Sequence, residues 1–321
     1  MTILVTGAAG FIGAHVCQAL AAAGQAVVGL DNYNDYYDPQ IKRDRVAALC
    51  PQVDIRALDL TDRAGLEALF EEIAPSAVIH LAAQAGVRYS LENPQAYVDS
   101  NLTGFVNILE LCRHRGVEHL VYASSSSVYG DSATPPFSEE QRIDRPRSLY
   151  AATKAANELM AYTYAQLFGL KATGLRFFTV YGPWGRPDMA PLLFSRAVLA
   201  GRPIQVFNEG RMQRDFTHVS DIVAGILGAL SHPSEESIAH QVFNLGNHTP
   251  IELEHFIGVI EQAAGVAAQK VYKPMQPGDM VRTMADTRRA AQAFAYAPRT
   301  PIEVGLPPVV AWCRAYFGKA V

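Results

Sequence analysis

Short apolar runs alternate with helix-length segments through the first half of the chain. Residues 3–6, 26–30, 53–57, 77–80, 120–123 and 171–176 are strand-length, apolar and without in/out alternation. Ala/Leu-rich stretches separate them, the first at 13–24. Strands apolar on both sides are buried on both sides, so the pattern predicts a parallel sheet sandwiched between helices. The expected fold is α/β, a doubly wound parallel sheet with a smaller mixed α/β subdomain. After about residue 177 the rhythm breaks into Gly/Pro-rich stretches at 181–191, 201–210 and 273–278. Long loops of this kind carry binding groups on a rigid frame. Residues 1–176 are therefore read as the large unit, and 177–214 with 245–321 as the smaller one. Segment 215–230 again reads as a strand end entering a helix, so the chain is expected to rejoin the large unit over about 215–244.

Composition narrows the partners. The 27 basic and 31 acidic residues give a net charge of −4, with no run of Lys/Arg. That balance argues against a nucleic-acid or anionic-membrane partner, since neither has a cationic patch to bind. The first residues already form a strand entering a glycine turn, which leaves no room for a secretory leader. No apolar stretch approaches bilayer-spanning length. A soluble, cytoplasmic protein is expected. Cys17, Cys50, Cys112 and Cys313 are scattered without a C-x-x-C pair, which predicts reduced thiols and no metal site.

The first candidate chemistry lies at Gly7, Gly10 and Gly13, between the first strand and the first helix. Glycines let the backbone turn sharply and approach a pyrophosphate, whose charge then rests on helix N-terminal amides, including those of Phe11 and Ile12. Asp31 ends the next strand, 18 positions after Gly13. An acid there accepts from the adenosine ribose hydroxyls and repels a 2′-phosphate, so the cofactor is read as NAD rather than NADP. Asp59, with Leu60, follows a further strand; it could accept from the adenine amino group or cap the turn at Thr61. The small residues of Leu81-Ala82-Ala83 would let backbone pass close to the cofactor. His80, just before them, is read as a packed histidine rather than a catalyst.

Tyr150 and Lys154 stand four apart, on one face of a helix. A phenol with pKa near 10 is a poor base at neutral pH. A neighbouring ammonium and a positive nicotinamide would bring it toward the working range. Upstream, a strand at 120–123 leads into Ser124-Ser125-Ser126-Ser127-Val128-Tyr129-Gly130. Hydroxyls at the C-terminal edge of such a strand lie where doubly wound sheets hold their ligands.

Taken together, the glycine pattern, Asp31, the serine strand end and the Tyr-x-x-x-Lys pair resemble the extended short-chain dehydrogenase/reductase family, whose members remodel nucleotide sugars. The resemblance implies a triad of Ser125, Tyr150 and Lys154, with Ser126 as a second substrate contact. Dehydratases of the family carry an acidic pair before Val-Tyr-Gly and decarboxylases a glutamate; here Ser126-Ser127 stand, which favours plain epimerisation.

Further segments look like the branch that epimerises UDP-glucuronate at C4: 31–38 with Lys42-Arg43, 84–90, and 179–189. By this likeness Asn32, Asn34 and Lys42 join the cofactor site. Arg88, Thr179 and Arg186 join the substrate site, with Arg186 offering a planar fork to a carboxylate. The same likeness puts Gln205 and Phe207 on the uracil, Arg214 on the pyrophosphate and Asp279 on the uridine ribose. Gln276 stands where other members have arginine, which makes Arg282 the candidate second pyrophosphate contact. A homodimer acting on a UDP-sugar is expected. A decarboxylase, a hexose 4-epimerase or a non-catalytic NAD-binding regulator would share the scaffold, although a mere binder has no use for a poised phenol.

Overall fold

The structure, a computed structural model, describes residues 2–275 and 280–318. Its elements alternate from the start: β1 (Thr2–Thr6), α1 (Phe11–Ala22), β2 (Ala26–Asp31), α2 (Pro39–Leu49), β3 (Asp54–Ala57), α3 (Arg63–Ile73) and β4 (Ala77–His80). Two single turns, α4 (Tyr89–Glu92) and α5 (Pro94–Tyr97), run through a π-helical segment, Val98–Thr103, into α6 (Gly104–His114). Then come β5 (His119–Ser125), α7 (Leu149–Phe168), β6 (Ala172–Phe177), β7 (Thr179–Tyr181), α8 (Ala190–Leu199) and β8 (Ile204–Phe207). The chain ends with β9 (Gln213–His218), α9 (Val219–Ser231), β10 (His240–Leu245), β11 (Pro250–Glu252), α10 (Leu253–Ala264), β12 (Lys270–Lys273), α11 (Arg288–Phe294) and α12 (Ile302–Phe317).

Seven strands form one sheet in the order β10-β6-β5-β4-β1-β2-β3, every pair parallel. The alternation that the sequence lacks is explained by burial on both faces. Ile3 and Val5 enter one core with α1, α9 and α11, whereas Leu4 enters the opposite core with α3 and α6. The strand order reverses between β1 and β4, and such a switch point opens a crevice at the strands' carboxyl ends. α1 begins at Phe11, two residues before the expected start, because the turn is complete at the extended Gly10 and Gly13 lies inside the helix.

After β6 the chain alternates between two bodies. β7, β9 and β11 make a three-stranded sheet, and β8 pairs with β12. A separate core gathers β8, α8, α10 and α12 around Val206, Leu192, Phe256 and Leu306. α9 returns to pack on the large sheet beside α1, and β10 completes that sheet against β6.

Candidate active site

The crevice is a cavity of about 360 Å³ above the carboxyl ends of the central strands. The glycine turn forms its floor. Gly7 has φ +69°, and a Cβ there would lie 2.7 Å from the Ala82 nitrogen. A Cβ on Gly13 would lie 2.0 Å from the Gly7 oxygen. Only glycine lets this turn close on itself and on the chain after β4. No side chain caps α1, so its first amides are available to an anion.

Every cofactor residue expected from the sequence lines this cavity: the glycine turn with Phe11 and Ile12, then Asp31, Asn32, Asn34, Lys42, Asp59, Leu60, Leu81, Ala82 and Ala83, with Tyr150 and Lys154. Asp31 is buried and already engaged, its Oδ1 accepting from the Tyr33 amide (2.8 Å) and Lys42 Nζ (3.1 Å). Lys42 also donates to Asn34 Oδ1 at 3.2 Å. Asp59 caps its turn, accepting from the Thr61 amide (2.8 Å) and hydroxyl (2.6 Å), while its second oxygen takes the Asn32 amide at 2.6 Å. The capping role therefore coexists with a place in the cavity wall. His80 is buried, paired with the Thr6 hydroxyl at 2.8 Å and pushed down to about 3 by burial, so it is a neutral packing residue.

Ser148 caps α7 by accepting from the Ala151 amide at 3.1 Å, which sets Tyr150 and Lys154 in the helix's first two turns. Lys154 is buried and donates to the Ala123 carbonyl at 2.9 Å; burial brings its pKa to about 8, opposed by Glu158. Burial raises the Tyr150 pKa, while a hydrogen bond with Ser125 and the charge of Arg186 pull it down. The sequence reading gives that second influence to Lys154. Here the cation acting on the phenol is Arg186, and Lys154 spends a proton on backbone. Behind the triad, Glu158 accepts from Ser124 (2.5 Å) and takes a two-pronged bond from Arg176 (2.9 and 2.7 Å).

Ser125, Ser126, Thr179 and Arg186 line the same cavity. Arg186 is already held on one edge. Its Nε donates to Asp188 Oδ1 at 3.0 Å and its Nη2 to Oδ2 at 2.5 Å, leaving the Nη1–Nη2 edge for a ligand. Tyr36 donates to the same carboxylate at 3.0 Å, and its ring lies 5.9 Å from the guanidinium. A further arginine went unnoticed in the sequence. Arg45 is wholly buried on α2 and donates to Ala9 O (2.6 Å), Trp184 O (2.9 Å) and the Tyr37 hydroxyl (3.2 Å), tying the glycine turn to the loop that carries Arg186.

The remaining described substrate candidates lie outside this cavity wall. Arg88 stacks on Phe207 at 5.5 Å, and Gln205 is exposed on β8. Arg214 donates to the Gln213 and Val281 carbonyls at 3.1 and 3.2 Å. Arg282 is exposed, with Nη2 3.7 Å from Met284 Sδ. Asp279 and Gln276 lie outside the described residues. All four cysteines are buried and unpaired, and among the described residues no three His, Cys, Asp or Glu cluster as metal ligands. No described helix is long and apolar enough to cross a membrane.

A glycine-floored switch-point crevice with a Ser/Tyr/Lys constellation at its centre defines a class. The NAD dependent epimerase/dehydratase family profile matches residues 3–246, and the chain belongs to that family. Particular relatives are closer still. UDP-glucuronate 4-epimerase 2 of Arabidopsis thaliana is 47% identical over 340 residues, covering 100% of this chain and 78% of that protein. A crystal structure of UDP-glucuronic acid 4-epimerase from Bacillus cereus, in complex with UDP-glucuronic acid and NAD, superposes with TM-score 0.91 at 32% identity, covering 98% of this chain and 99% of that one. A UDP-glucose 4-epimerase from Thermotoga maritima with UDP-glucose gives TM-score 0.90 at 29% identity, over 98% and 99% of the two chains.

Proposed function

We propose that this protein is an isomerase that interconverts UDP-glucuronate and UDP-galacturonate by inversion at C4, using tightly held NAD. The observation that carries the reading is the presence of Arg186 in one cavity with Ser125, Tyr150 and Lys154. A neutral hexose has no use for a guanidinium beside the reacting alcohol, whereas a uronate carboxylate does. The 47% identity to a plant UDP-glucuronate 4-epimerase supports the same substrate.

The residues present fit the cofactor. A Cβ at Gly7 or Gly13 would fill the turn on which a pyrophosphate rests, and the uncapped start of α1 faces the same space. Asp31 suits the adenosine ribose, and Asp59 with Leu60 the adenine. When bound, NAD supplies the two-electron oxidant that turns the C4 alcohol into a ketone and back.

The chain's own groups handle the proton. Tyr150 accepts it from the C4 hydroxyl and returns it after the sugar has presented its other face, while Ser125 holds that oxygen by a hydrogen bond. Lys154, anchored on Ala123, holds the strand end beside the triad, and Arg186 supplies the positive charge that favours the phenolate. The 4-keto uronate is a β-keto acid prone to lose carbon dioxide. Arg186, with Ser126 and Thr179, holds the carboxylate where that loss is disfavoured. Residues 1–176 with about 215–244 serve as the NAD-binding unit, and 177–214 with 245–321 hold the UDP, through Gln205, Phe207, Arg214, Arg282 and Asp279, with Arg88 of the first unit stacked on Phe207. Leu159, Tyr162, Leu167 and Phe168 stand exposed on α7, which supports a homodimer through that helix. The four unpaired thiols are in keeping with the cytoplasm.

Arg186→Ala tests the substrate assignment. Removing one partner of a partly desolvated charge pair costs about 2–5 kcal/mol, so kcat/KM on UDP-glucuronate should fall roughly 30-fold or more. UDP-glucose should lose less, only what Tyr150 loses with the Arg186 charge. An equal proportional loss on both sugars would mean that Arg186 serves the phenol or its loop and not a carboxylate.

A further inference from the structure

Arg186 carries a partner that the reaction itself does not call for. Asp188 faces it edge-on, with Nε on Oδ1 and Nη2 on Oδ2. Tyr36 donates to Oδ2 from a different part of the chain, 152 residues away. Arg186 and Tyr36 line the cavity, whereas Asp188 stands behind them. The Arg186 and Asp188 side chains are 22% and 30% exposed, so the pair is only partly screened by water. Burial works against the Asp188 charge, but Arg186 and Tyr36 outweigh it and hold its carboxyl below the usual range.

We propose that Asp188, held by Tyr36, is a positioning residue that fixes how Arg186 presents itself and thereby decides both sugar specificity and the survival of the substrate carboxylate. This rests on the uronate reading above. An arginine on a flexible stem explores many orientations, and gripping a carboxylate then costs rotamer entropy. A bidentate carboxylate clamp on the Nε–Nη2 edge removes that freedom before the substrate arrives. Only the Nη1–Nη2 edge is then offered to the ligand, so the substrate carboxylate approaches from one direction.

Direction matters because of the 4-keto stage. For carbon dioxide to leave, the C5–C6 bond must align with the C4 carbonyl π system. The bond then breaks, its electron pair passes into the C4 carbonyl as an enolate, a proton from water adds at C5, and the hydride taken from C4 would stay on the cofactor as NADH, one per pentose released. A guanidinium clamped by Asp188 keeps the C5–C6 bond out of that alignment. A free guanidinium would follow the carboxylate as it rotates, and the restraint would be lost. Asp188 also neutralises Arg186 while the site is empty, so the grip depends on geometry as much as on net charge.

The experiment compares Asp188→Asn and Tyr36→Phe with wild type on UDP-glucuronate and UDP-glucose, with products resolved by NMR. Retained NAD and an unchanged far-UV spectrum establish that each variant is folded. Asp188→Asn should lose about tenfold or more in kcat/KM on UDP-glucuronate and under about threefold on UDP-glucose, and should release a decarboxylated 4-keto pentose that wild type does not. Tyr36→Phe keeps the Arg–Asp pair and should show the same selective loss in smaller measure, about threefold; it carries the test alone if Asp188→Asn does not fold. Equal losses on both sugars, or an unchanged ratio with no pentose, would overturn the proposal while leaving the uronate reading intact. Wild type that ignores UDP-glucuronate would overturn that reading first, and this proposal with it.

Discussion

Tyr150 is set by opposing forces that no single motif reveals. Burial raises its pKa, and Ser125 with Arg186 brings it back down. Tyr150→Phe removes the one group assigned to proton transfer and leaves the cofactor turn untouched. The variant should keep its fold and its NAD, detected by absorbance of the released cofactor, while turnover drops at least about a hundredfold, the low end of a general acid–base contribution. Turnover within a few-fold of wild type would remove Tyr150 from its role. The Tyr-x-x-x-Lys spacing was legible because helical periodicity alone brings both side chains to one face. The approach of Arg186 to Tyr150 was not, because residues 36 apart meet only through the path of an irregular loop. The same holds for Asp188 and Tyr36, each present in a segment that the family resemblance picked out, yet linked only by the fold. Arg45 left no signal at all: an arginine in a helix reads as solvated until two distant loops close over it.

At the scale of elements, the glycine turn is the most constrained piece of the site. A Cβ on Gly13 would stand 2.0 Å from the Gly7 oxygen, a contact that only movement of the turn can relieve. Gly13→Ala should therefore weaken NAD binding at least about tenfold by calorimetry on cofactor-stripped protein, because the pyrophosphate loses its close backbone approach. Affinity equal to wild type would place the cofactor elsewhere. Six of the seven strands of the large sheet were readable because burial on both faces writes a continuous apolar run, whereas β10 was not read as a strand. β7, β8, β11 and β12 were not, since each is three or four residues long and lies in the Gly/Pro-rich half, where the period is too short to count. The π-helical segment also escaped notice. It aims Asn101 so that its side chain bonds both the Gln84 carbonyl and the Thr153 hydroxyl, each at 3.0 Å, joining the cavity wall to the catalytic helix.

At the scale of the molecule, the fold depends on histidines that must stay neutral. His80 and His119 are buried within the large sheet, and burial pushes their pKa values to about 3 and about 4. Unfolded, both would titrate near 6.5. The unfolded chain then binds more protons between those values, so the stability they contribute is present above pH 6.5 and lost as pH falls. Each histidine contributes about 1.4 kcal/mol per pH unit through that window, or roughly 3 kcal/mol per unit for the pair between about pH 6 and pH 4. Urea unfolding at stepped pH checks this: the midpoint should fall steadily below pH 6.5, and a flat midpoint from pH 7 to pH 5 would contradict it.

If the proposed assignment holds, with the C4 alcohol between Tyr150 and the cofactor turn and the carboxylate on Arg186, C4 is oxidised and reduced again without the intermediate leaving. UDP-glucuronate bearing deuterium at C4, incubated with the protein and no added cofactor, tests it most directly. The expected product is UDP-galacturonate with the deuterium retained at C4, approaching an equilibrium mixture with the starting sugar. Deuterium washed out to solvent, a pentose product, or no conversion without added NAD would contradict it.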